Sequence, residues 1–217
     1  MTTLTEPAHA GEFILHEANG CRSREAITVA SGQTLVAGAV VGKLVIDTTD
    51  ITKAADAGNT GDGAMTLADP AFAAGVKPGV YRVTCIEPGT DVGTFEVVDP
   101  DGIGIGIATV GVAFEGVVKF TIADGATDFI AGDFFTITVG AGAGTYAEYD
   151  PTAGDGTQTA VGVLFDAVDA SAAAAAGVLV ARDAEVTAAE LTWFSGATDN
   201  QIATGTAELA RQGIIAR

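Results

Sequence analysis

The sequence predicts a mainly β protein that contains one short helix near its C-terminus. Glycine supplies 29 of the 217 residues, and aromatic residues reach only 6% although hydrophobic residues make up 48%. Several segments alternate apolar with polar residues, and turn sequences rich in glycine and aspartate separate them. These observations together favour many short strands joined by tight turns.

The charge and the apolar patterning exclude two classes of partner. The chain has 28 acidic residues against 10 basic ones, a formal net charge of −18, which repels nucleic-acid phosphates and anionic lipids. It shows neither a signal-peptide pattern nor an apolar run long enough to span a bilayer, so we expect synthesis in the cytosol and no membrane partner. Cys21 and Cys85 are too few for a metal cluster and are predicted to be free thiols.

The first segment, residues 1–25, is predicted to be an extended arm. Its apolar positions follow no sustained period of 2 or of 3.6 residues. The apolar triplet Phe13, Ile14 and Leu15 lies in this segment, which is too short to fold alone. We therefore expect the triplet to contact something outside the arm.

Short strands are predicted after the arm, over residues 26–46. In "AITVASGQTLVAGAVVGKLVI" small apolar clusters are divided by glycines that favour tight turns. The next stretch, "DTTDITKAADAGNTGDGAM", is polar and rich in turn residues, and we expect it to form turns that lead into a second β-rich region.

A second β-rich region follows this polar stretch. In "GVYRVTCIE" the residues Tyr81, Val83 and Cys85 share one face, as strand geometry requires for a half-buried strand. Strands are predicted at Tyr81–Ile86, Thr94–Val98, Ile103–Val110, Val117–Ile122 and Phe134–Val139. This spacing predicts a small antiparallel sandwich or barrel, which the glycine-rich "VGAGAGT" ends as a hinge.

The rest of the chain returns to short strands. A strand in "TYAEYDP" and a buried strand over Val161–Phe165 are predicted, and further strands in "GVLVARDAEV" and "AELTWF". The alanine run Ala172–Ala176 is too short for a stable helix and ends at a glycine, so a loop or a single turn is expected.

One helix is predicted in "TDNQIATGTAELARQG". Thr198 or Asp199 is its expected N-cap and Gly213 its expected C-cap. The final "IIAR" is predicted to be a short edge strand.

No catalytic residue and no cofactor site is predicted. Both histidines lie in the arm, and a His16–Cys21 pair acting as base and nucleophile is far less expected than two solvated side chains. "DGIGIGIATVG" has GxGxG rather than GxGxxG spacing and continues as a strand, which predicts a glycine-faced strand packed closely on a neighbour.

No metal site is predicted either. "DPDG" and "NTGDG" resemble calcium loops weakly, because neither continues with the ligand spacing and the closing glutamate of an EF-hand. Carboxylate pairs such as Asp183 with Glu185 are expected by chance in so acidic a chain. Arg22 and Arg24 leave two alternatives open, either pairing with carboxylates of a partner or protecting a strand edge.

Four blocks of the chain occur in an order that resembles a known family. They are "EFILHEANGCRSREAITVASGQTLVAGAVVGKL", "YAEYDPTAGDGTQTAVGVLFDAV", "GVLVARDAEVTAAELTW" and "AELARQGIIAR". Over residues 12–46 and 145–217 the chain resembles head decoration proteins of tailed phages, the family of phage lambda head decoration protein D. The resemblance implies a β-clip-like core, discontinuous over residues 26–46 and 145–217, with residues 47–144 as an inserted β-domain.

The resemblance also implies a function. It predicts a non-enzymatic homotrimer that assembles in the host cytoplasm, decorates the outer surface of the expanded head and cements it by binding the major capsid protein. The arm is then the capsid-binding element, with Phe13, Ile14, Leu15, Arg22 and Arg24 as its candidate contacts. Strand addition, with Phe13 and Leu15 facing one way and Ile14 the other, is the expected mode.

An alternative function assigns the main role to the inserted domain. In that hypothesis the domain is an adhesin or a glycan-binding module directed at the host surface. Aromatic side chains that would line a sugar site are Tyr81, Phe95, Phe114 and Phe120, although core packing is favoured at such strand positions.

Overall fold

A computed structural model describes residue 6 and residues 8–217 of the chain. Strands account for 48% of the protein and helices for 9%, which confirms the mainly β class. The chain forms two compact units, and we treat each by itself. The first unit comprises the residues up to Leu44 together with Gly144–Arg217, and the second comprises Val45–Ala143.

Strands and helices are numbered separately in chain order. The strands are β1 (Ile14–Glu17), β2 (Arg24–Val29), β3 (Gln33–Leu35), β4 (Val40–Lys43), β5 (Ile46–Ala55), β6 (Ala64–Phe72), β7 (Gly79–Gly89), β8 (Val92–Val98), β9 (Gly104–Thr109), β10 (Ala113–Glu115), β11 (Val118–Ala123), β12 (Phe134–Ala141), β13 (Tyr146–Glu148), β14 (Gly162–Leu164), β15 (Val168–Ala170), β16 (Ala175–Val180), β17 (Ala184–Val186) and β18 (Ile214–Ala216). The helices are α1 (Gly20–Ser23) and α2 (Asp199–Arg211), and a 3₁₀ turn covers Ala188–Glu190.

The centre of the first unit is a small closed barrel of five strands, in the order β13-β2-β16-β14-β4. Val29, Val41 and Leu164, from three of its strands, pack together in one core cluster, each with no exposed surface. Gly162 is needed because a Cβ there would lie 2.7 Å from the carbonyl oxygen of Val180 on the neighbouring strand. Small residues therefore allow a barrel of very short strands to close.

A three-stranded sheet lies beside the barrel within the same unit, in the order β1-β17-β18. β1 pairs antiparallel with β17, and β17 pairs parallel with β18. The C-terminal edge strand is thus confirmed, and the N-terminal strand occupies the opposite edge.

Helix α2 packs on the first unit through Leu209 and Gly205. Thr198 is its N-cap and forms a capping box with Gln201, which confirms the predicted start. Gln212 is the C-cap of the helix, and Gly213, which was predicted to be the C-cap, follows it with a φ of 83°. The helix therefore ends one residue earlier than predicted.

The second unit is an antiparallel sandwich, as predicted. One sheet has the order β5-β12-β7-β8-β9 and the other β10-β11-β6. Its core contains an aromatic cluster, in which the ring of Phe95 lies 5.1 Å from that of Phe129 and 6.1 Å from that of Phe135. All five strands predicted in this region are present, with ends shifted by a few residues.

Two predictions about strands were wrong, and a third was wrong in part, because Ala175 and Ala176 of the alanine run begin β16 rather than lying in a loop. Residues 47–55 of the polar stretch after Ile46, expected to form turns, lie in β5, and β6 begins near the end of the stretch, at Ala64. β5 is an edge strand with mostly exposed side chains, so it carries no apolar alternation from which to predict it. "AELTWF" is not a strand, because the 3₁₀ turn occupies its start and only Thr192 forms an isolated bridge.

Candidate functional site

The predicted arm is folded onto the first unit from Gly11 onward. The Gly11 amide donates to the carbonyl of Phe165 at 2.8 Å, and a Cβ at Gly11 would lie 2.5 Å from the Phe165 ring. With a φ of 70°, this position requires glycine both for its conformation and for its close approach to the ring. The structure therefore differs from the expected extended segment over most of residues 11–25.

The apolar triplet is divided between the core and the surface. Phe13 is 2% exposed and packs in the core of the unit with Val186 and Leu209, so it does have a core to enter. Ile14 is half-buried against the same cluster. Leu15 is 48% exposed and lies at a β-bulge, where two residues of β1 oppose one of β17.

The bulge changes the facing that regular alternation predicts, because it adds one residue to β1. Ile14 pairs with Val186, and the next paired residue, His16, lies opposite Glu185. The expectation that Phe13 and Leu15 face one way and Ile14 the other was wrong, since Phe13 and Ile14 pack in the same core cluster and Leu15 is exposed.

Arg24 is the more firmly held of the two arginines that were predicted as capsid contacts. Its guanidinium forms a bidentate pair with Glu17, in which Nε donates to Oε2 at 3.0 Å and Nη2 donates to Oε1. The same group lies 3.8 Å from the centre of the Phe165 ring. The hydrogen bonds from Arg24 hold the pKa of Glu17 below its usual value. Arg24 therefore stabilises the start of its own chain in this structure.

Arg22 is more accessible. Its side chain is 72% exposed, and Nε lies 3.0 Å from a carboxylate oxygen of Asp183. An exposed ion pair of this kind is worth less than about 1 kcal/mol, so Arg22 can exchange Asp183 for a carboxylate of a partner at little cost. Both alternatives that the sequence left open, a partner contact and edge protection, stay compatible with this geometry.

A shallow groove crosses the exposed face of the β1-β17-β18 sheet. It has a volume of about 410 Å³ and is lined by His16, Glu17, Asp183, Ala184, Glu185, Gly213 and Ile215. Each of its carboxylates has an arginine partner, because Arg217 lies 2.8 Å from Glu185 and thereby also lowers the pKa of that carboxyl. The groove is thus ion-paired rather than strongly acidic.

Sequence reasoning missed the groove residues from the C-terminal half. Asp183 and Glu185 were assigned to chance, and Arg217 was not considered. No local spacing reveals these pairs, because the partners are far apart in sequence. Arg22 meets Asp183 when the N-terminal region folds onto the unit, and Arg217 meets Glu185 when β18 pairs with β17.

The other candidate sites resolve into ordinary structure. Gly104 and Gly106 lie in β9, where Gly106 packs on Phe114, as the strand interpretation predicted. Asp99 accepts hydrogen bonds from Lys77 and from the backbone of its own turn, and Asp62 accepts one from Thr127. Cys85 is a buried free thiol, and the side chain of Cys21 lies outside the described residues.

The aromatic residues offered for a sugar site do not form one. Tyr81, Phe95 and Phe120 are at most 1% exposed in the core of the second unit. Phe114 is half-buried, with its ring 5.1 Å from that of Phe120. Core packing, the favoured interpretation of these positions, is therefore confirmed for Tyr81, Phe95 and Phe120, and the four side chains supply no argument for a glycan site.

Acidic residues approach one another at one end of the second unit. Carboxylate oxygens of Asp91, Asp124 and Asp128 lie within 4.8 Å of one another, and all three residues are exposed. The Asp91 amide already donates to Asp128 at 3.0 Å. Exposed carboxylates in this arrangement are common without an ion, and we assign no metal to them.

The fold and this surface define a class of protein. Among the described residues the side chains of His9 and His16 are exposed and no nucleophile, base and carboxylate converge. No described helix is long and apolar enough to cross a bilayer. What the first unit does offer is an edge strand with an exposed apolar residue and exchangeable ion pairs, which is typical of a structural protein that binds another protein.

A family comparison makes this class specific. The family described as bacteriophage lambda head decoration protein D matches residues 3–214, nearly the whole chain. The chain belongs to that family, and this membership places it among the structural proteins of the phage head.

The remaining comparisons add little. No curated protein matches the chain. Two crystal forms of Xanthomonas campestris FlgL match 48% of this chain at 21% identity with a TM-score of 0.31. The matched region spans 33% of the FlgL chain, and so distant a similarity supports no conclusion about function.

Proposed function

We propose that the protein binds the outer surface of the expanded phage head as a homotrimer and cements neighbouring subunits of the major capsid protein. Family membership supports the capsid role. The observation that carries the binding mode is the position of β1, an edge strand whose outer side pairs with no strand among the described residues.

The contact surface is the exposed part of the N-terminal region. Leu15 supplies the apolar anchor and Arg22 the exchangeable cation, beside the groove on the β1-β17-β18 sheet. A strand of the capsid protein adds to β1 through main-chain hydrogen bonds, while these two side chains fix its register. Phe13 and Arg24, predicted as contacts, instead hold β1 in place.

Trimers strengthen a weak contact of this kind. Each edge is only four residues long, so a single copy binds weakly. Once one copy of a trimer is bound, the other two act at high effective concentration, and the total affinity rises about 10²- to 10⁴-fold. Cementing follows because the three copies engage different capsid subunits.

The test is a pair of deletions that separates binding from folding. Removing residues 1–10 leaves Gly11 and Phe13 in place, so the protein is expected to fold. Removing residues 1–20 also takes away Phe13 and β1, and is expected to destabilise the first unit.

Binding to expanded heads, measured by cosedimentation, decides the role of each part. If the first ten residues contribute contacts, the shorter deletion weakens binding while its thermal unfolding matches the full chain. Normal binding by the longer deletion would overturn the assignment of β1 and Leu15 to the capsid contact. Image reconstruction of decorated heads then tests the trimer and its outer location.

A further inference from the structure

Phe165 lies where the barrel of the first unit meets the N-terminal region. It directly follows β14, and its amide donates to the carbonyl of Val178 in β16 at 2.8 Å. Its half-buried side chain packs against the core cluster that also contains Phe13. The backbone position of Phe165 is therefore set by the barrel rather than by β1.

The segment before β1 is held by Phe165. The Gly11 amide donates to the Phe165 carbonyl, and the Phe165 ring lies so close that a Cβ at Gly11 would be 2.5 Å from it. The Gly11 carbonyl in turn accepts from the amide of Ile14, the first residue of β1, at 3.0 Å. Contacts to one residue at the end of a barrel strand thus fix the start of β1.

The end of β1 is connected to the same ring. Glu17 closes β1, and its carboxylate accepts hydrogen bonds from the Arg24 guanidinium and, at 2.7 Å, from the hydroxyl of Ser23, which has no exposed surface. The guanidinium carbon of Arg24 lies 3.8 Å from the centre of the Phe165 ring. Stacking on the ring fixes the plane of the guanidinium, and the bidentate pair then fixes the Glu17 carboxylate.

We propose that Phe165 is the positioning residue for the capsid-binding edge, because it contacts Gly11 at one end of β1 and Arg24 at the other. Gly11, Glu17, Arg24 and Phe165 together are called the Phe165 clamp below. The inference rests on the proposed function for its consequence, which is head binding. The clamp itself is a property of the free protein and can be tested there.

β1 needs such support because it is short and paired on one side. The strand is four residues long, pairs only with β17 among the described residues, and is interrupted by the bulge at Leu15. A short edge strand of this kind opens locally at a lower free energy than the barrel does. The clamp raises that free energy at both ends of the strand.

A held edge binds a partner strand better than a loose one. Each residue that must be ordered on binding costs backbone entropy, and the main-chain hydrogen bonds of a four-residue edge return little beyond that cost. Because the clamp orders residues 11–17 in the free protein, the cost falls on folding rather than on docking. Loosening the clamp is therefore expected to weaken head binding even though Leu15 and Arg22 are unchanged.

Core packing alone is the competing explanation for Phe165. A ring that only fills the core cluster would stabilise the whole unit, so its loss would destabilise the barrel and β1 together. A ring that positions β1 would, when it is removed, loosen residues 11–18 selectively. Amide hydrogen exchange distinguishes the two explanations, because it reports local opening residue by residue.

Two substitutions in the full chain remove the two halves of the clamp. Phe165→Leu keeps an apolar side chain but removes the flat ring, and Arg24→Lys keeps the charge but loses the stacked, bidentate guanidinium. The matched controls are Phe194→Leu, at another half-buried phenylalanine of the first unit, and Arg211→Lys, at an exposed position of α2. Both controls lie outside the clamp.

Hydrogen exchange tests the clamp without heads. The reporters are the amides of Gly11 and Ala18, which lie on either side of β1 and are both hydrogen-bonded. The reference amides are those of Tyr149 and Val161, which donate to β4 in the barrel. Each clamp variant is expected to speed exchange at least about tenfold at the reporters and less than about threefold at the references. The controls should leave the reporters unchanged.

Cosedimentation with expanded heads tests the consequence for binding. Both clamp variants are expected to bind at least about tenfold more weakly than wild type, since the loss in each copy multiplies over the trimer. Unchanged reporters, or equal acceleration of reporters and references, would overturn the clamp. Faster reporters together with wild-type head binding would overturn its role in binding. A wild type that does not bind heads would refute the proposed function and that role with it, whereas the exchange measurement decides the clamp in either case.

Discussion

Phe13 and Leu15 are two residues apart, yet their side chains have different tasks. Phe13→Ala removes a ring that is 2% exposed in the core and is expected to lower the free energy of unfolding by about 3–5 kcal/mol. Leu15→Ala truncates an exposed side chain and should change the free energy of unfolding by less than about 0.5 kcal/mol.

Denaturant unfolding and head binding together check this pair. Leu15→Ala is expected to weaken binding to heads at unchanged stability, whereas Phe13→Ala acts through folding. Equal losses of stability in the two variants would contradict the division of the triplet. Strong head binding by Leu15→Ala would show that the exposed leucine is not the anchor.

Asp133 is a buried carboxyl whose pKa links stability to pH. Burial raises the pKa of this carboxyl, but hydrogen bonds from the amides of Gly61, Thr60 and Ile130 outweigh it, so the pKa lies below its usual value. A depressed folded-state pKa stabilises the protein above the unfolded-state pKa, about 3.9. That contribution is lost as the pH falls through the folded-state value.

Asp133→Asn is therefore expected to cost about 1–3 kcal/mol at neutral pH and to make stability less sensitive to acid. Unfolding free energies at pH 7 and near pH 3 measure both effects. The control is Asp124→Asn, at an exposed position of the loop that also contains Asp133. The account fails if the Asp133 variant loses as much stability between the two pH values as wild type does.

Sequence could identify the N-terminal residues of the candidate site, but not their environments or the groove residues from the C-terminal half. Arg22 stands out as one of few cations, and Leu15 as part of an apolar triplet. Phe13 enters a core formed by Val186 and Leu209, which lie more than 170 positions further along the chain. No local period encodes such a contact, and the bulge that turns Leu15 outward is equally invisible in the sequence.

At the scale of elements, helix α2 shows how packing overrides helix propensity. Replacing glycine by alanine inside a helix normally stabilises it by about 1 kcal/mol. At Gly205, however, a Cβ would lie 2.5 Å from the Trp193 ring. Gly205→Ala is therefore expected to destabilise the protein by about 1–3 kcal/mol, because the ring must move.

The matched control is Ala207→Gly on the exposed side of the same helix. It should cost about 1 kcal/mol through backbone entropy alone. Thermal unfolding compares the two, and Trp193 fluorescence should change in the Gly205 variant only. A stabilising Gly205→Ala would mean that the helix does not lie as close to Trp193 as the structure shows.

Strands could be predicted where burial on one face makes apolar and polar residues alternate along the sequence. β7 alternates because Tyr81, Val83 and Cys85 all face the sandwich core. β5 belongs to the same sheet but lies at its edge, so few of its side chains are buried and the polar sequence suggested turns. Its position in the sheet comes from main-chain pairing with β12, which side-chain patterns do not report.

At the scale of the whole molecule, the division into two units bears on the inserted-domain hypothesis. The second unit has a core of its own, built from both of its sheets. The first unit is discontinuous in sequence, as an insertion at this place would make it. Whether residues 47–144 entered a simpler decoration protein stays a prediction, and it has a direct experimental consequence.

That consequence is that the first unit should fold without the second. The Leu44 amide donates to the carbonyl of Thr145 at 2.9 Å, so the two chain ends left by excising Val45–Ala143 lie side by side and a glycine linker can join them. Domains are tolerated as insertions where their ends are this close.

The shortened chain is expected to unfold cooperatively and to bind heads within about threefold of the full chain, since Leu15 and Arg22 both lie in the part that is kept. Circular dichroism and cosedimentation with heads measure the two outcomes. A folded shortened chain that no longer binds would assign capsid binding to the second unit, and an unfolded one would refute the independence of the first.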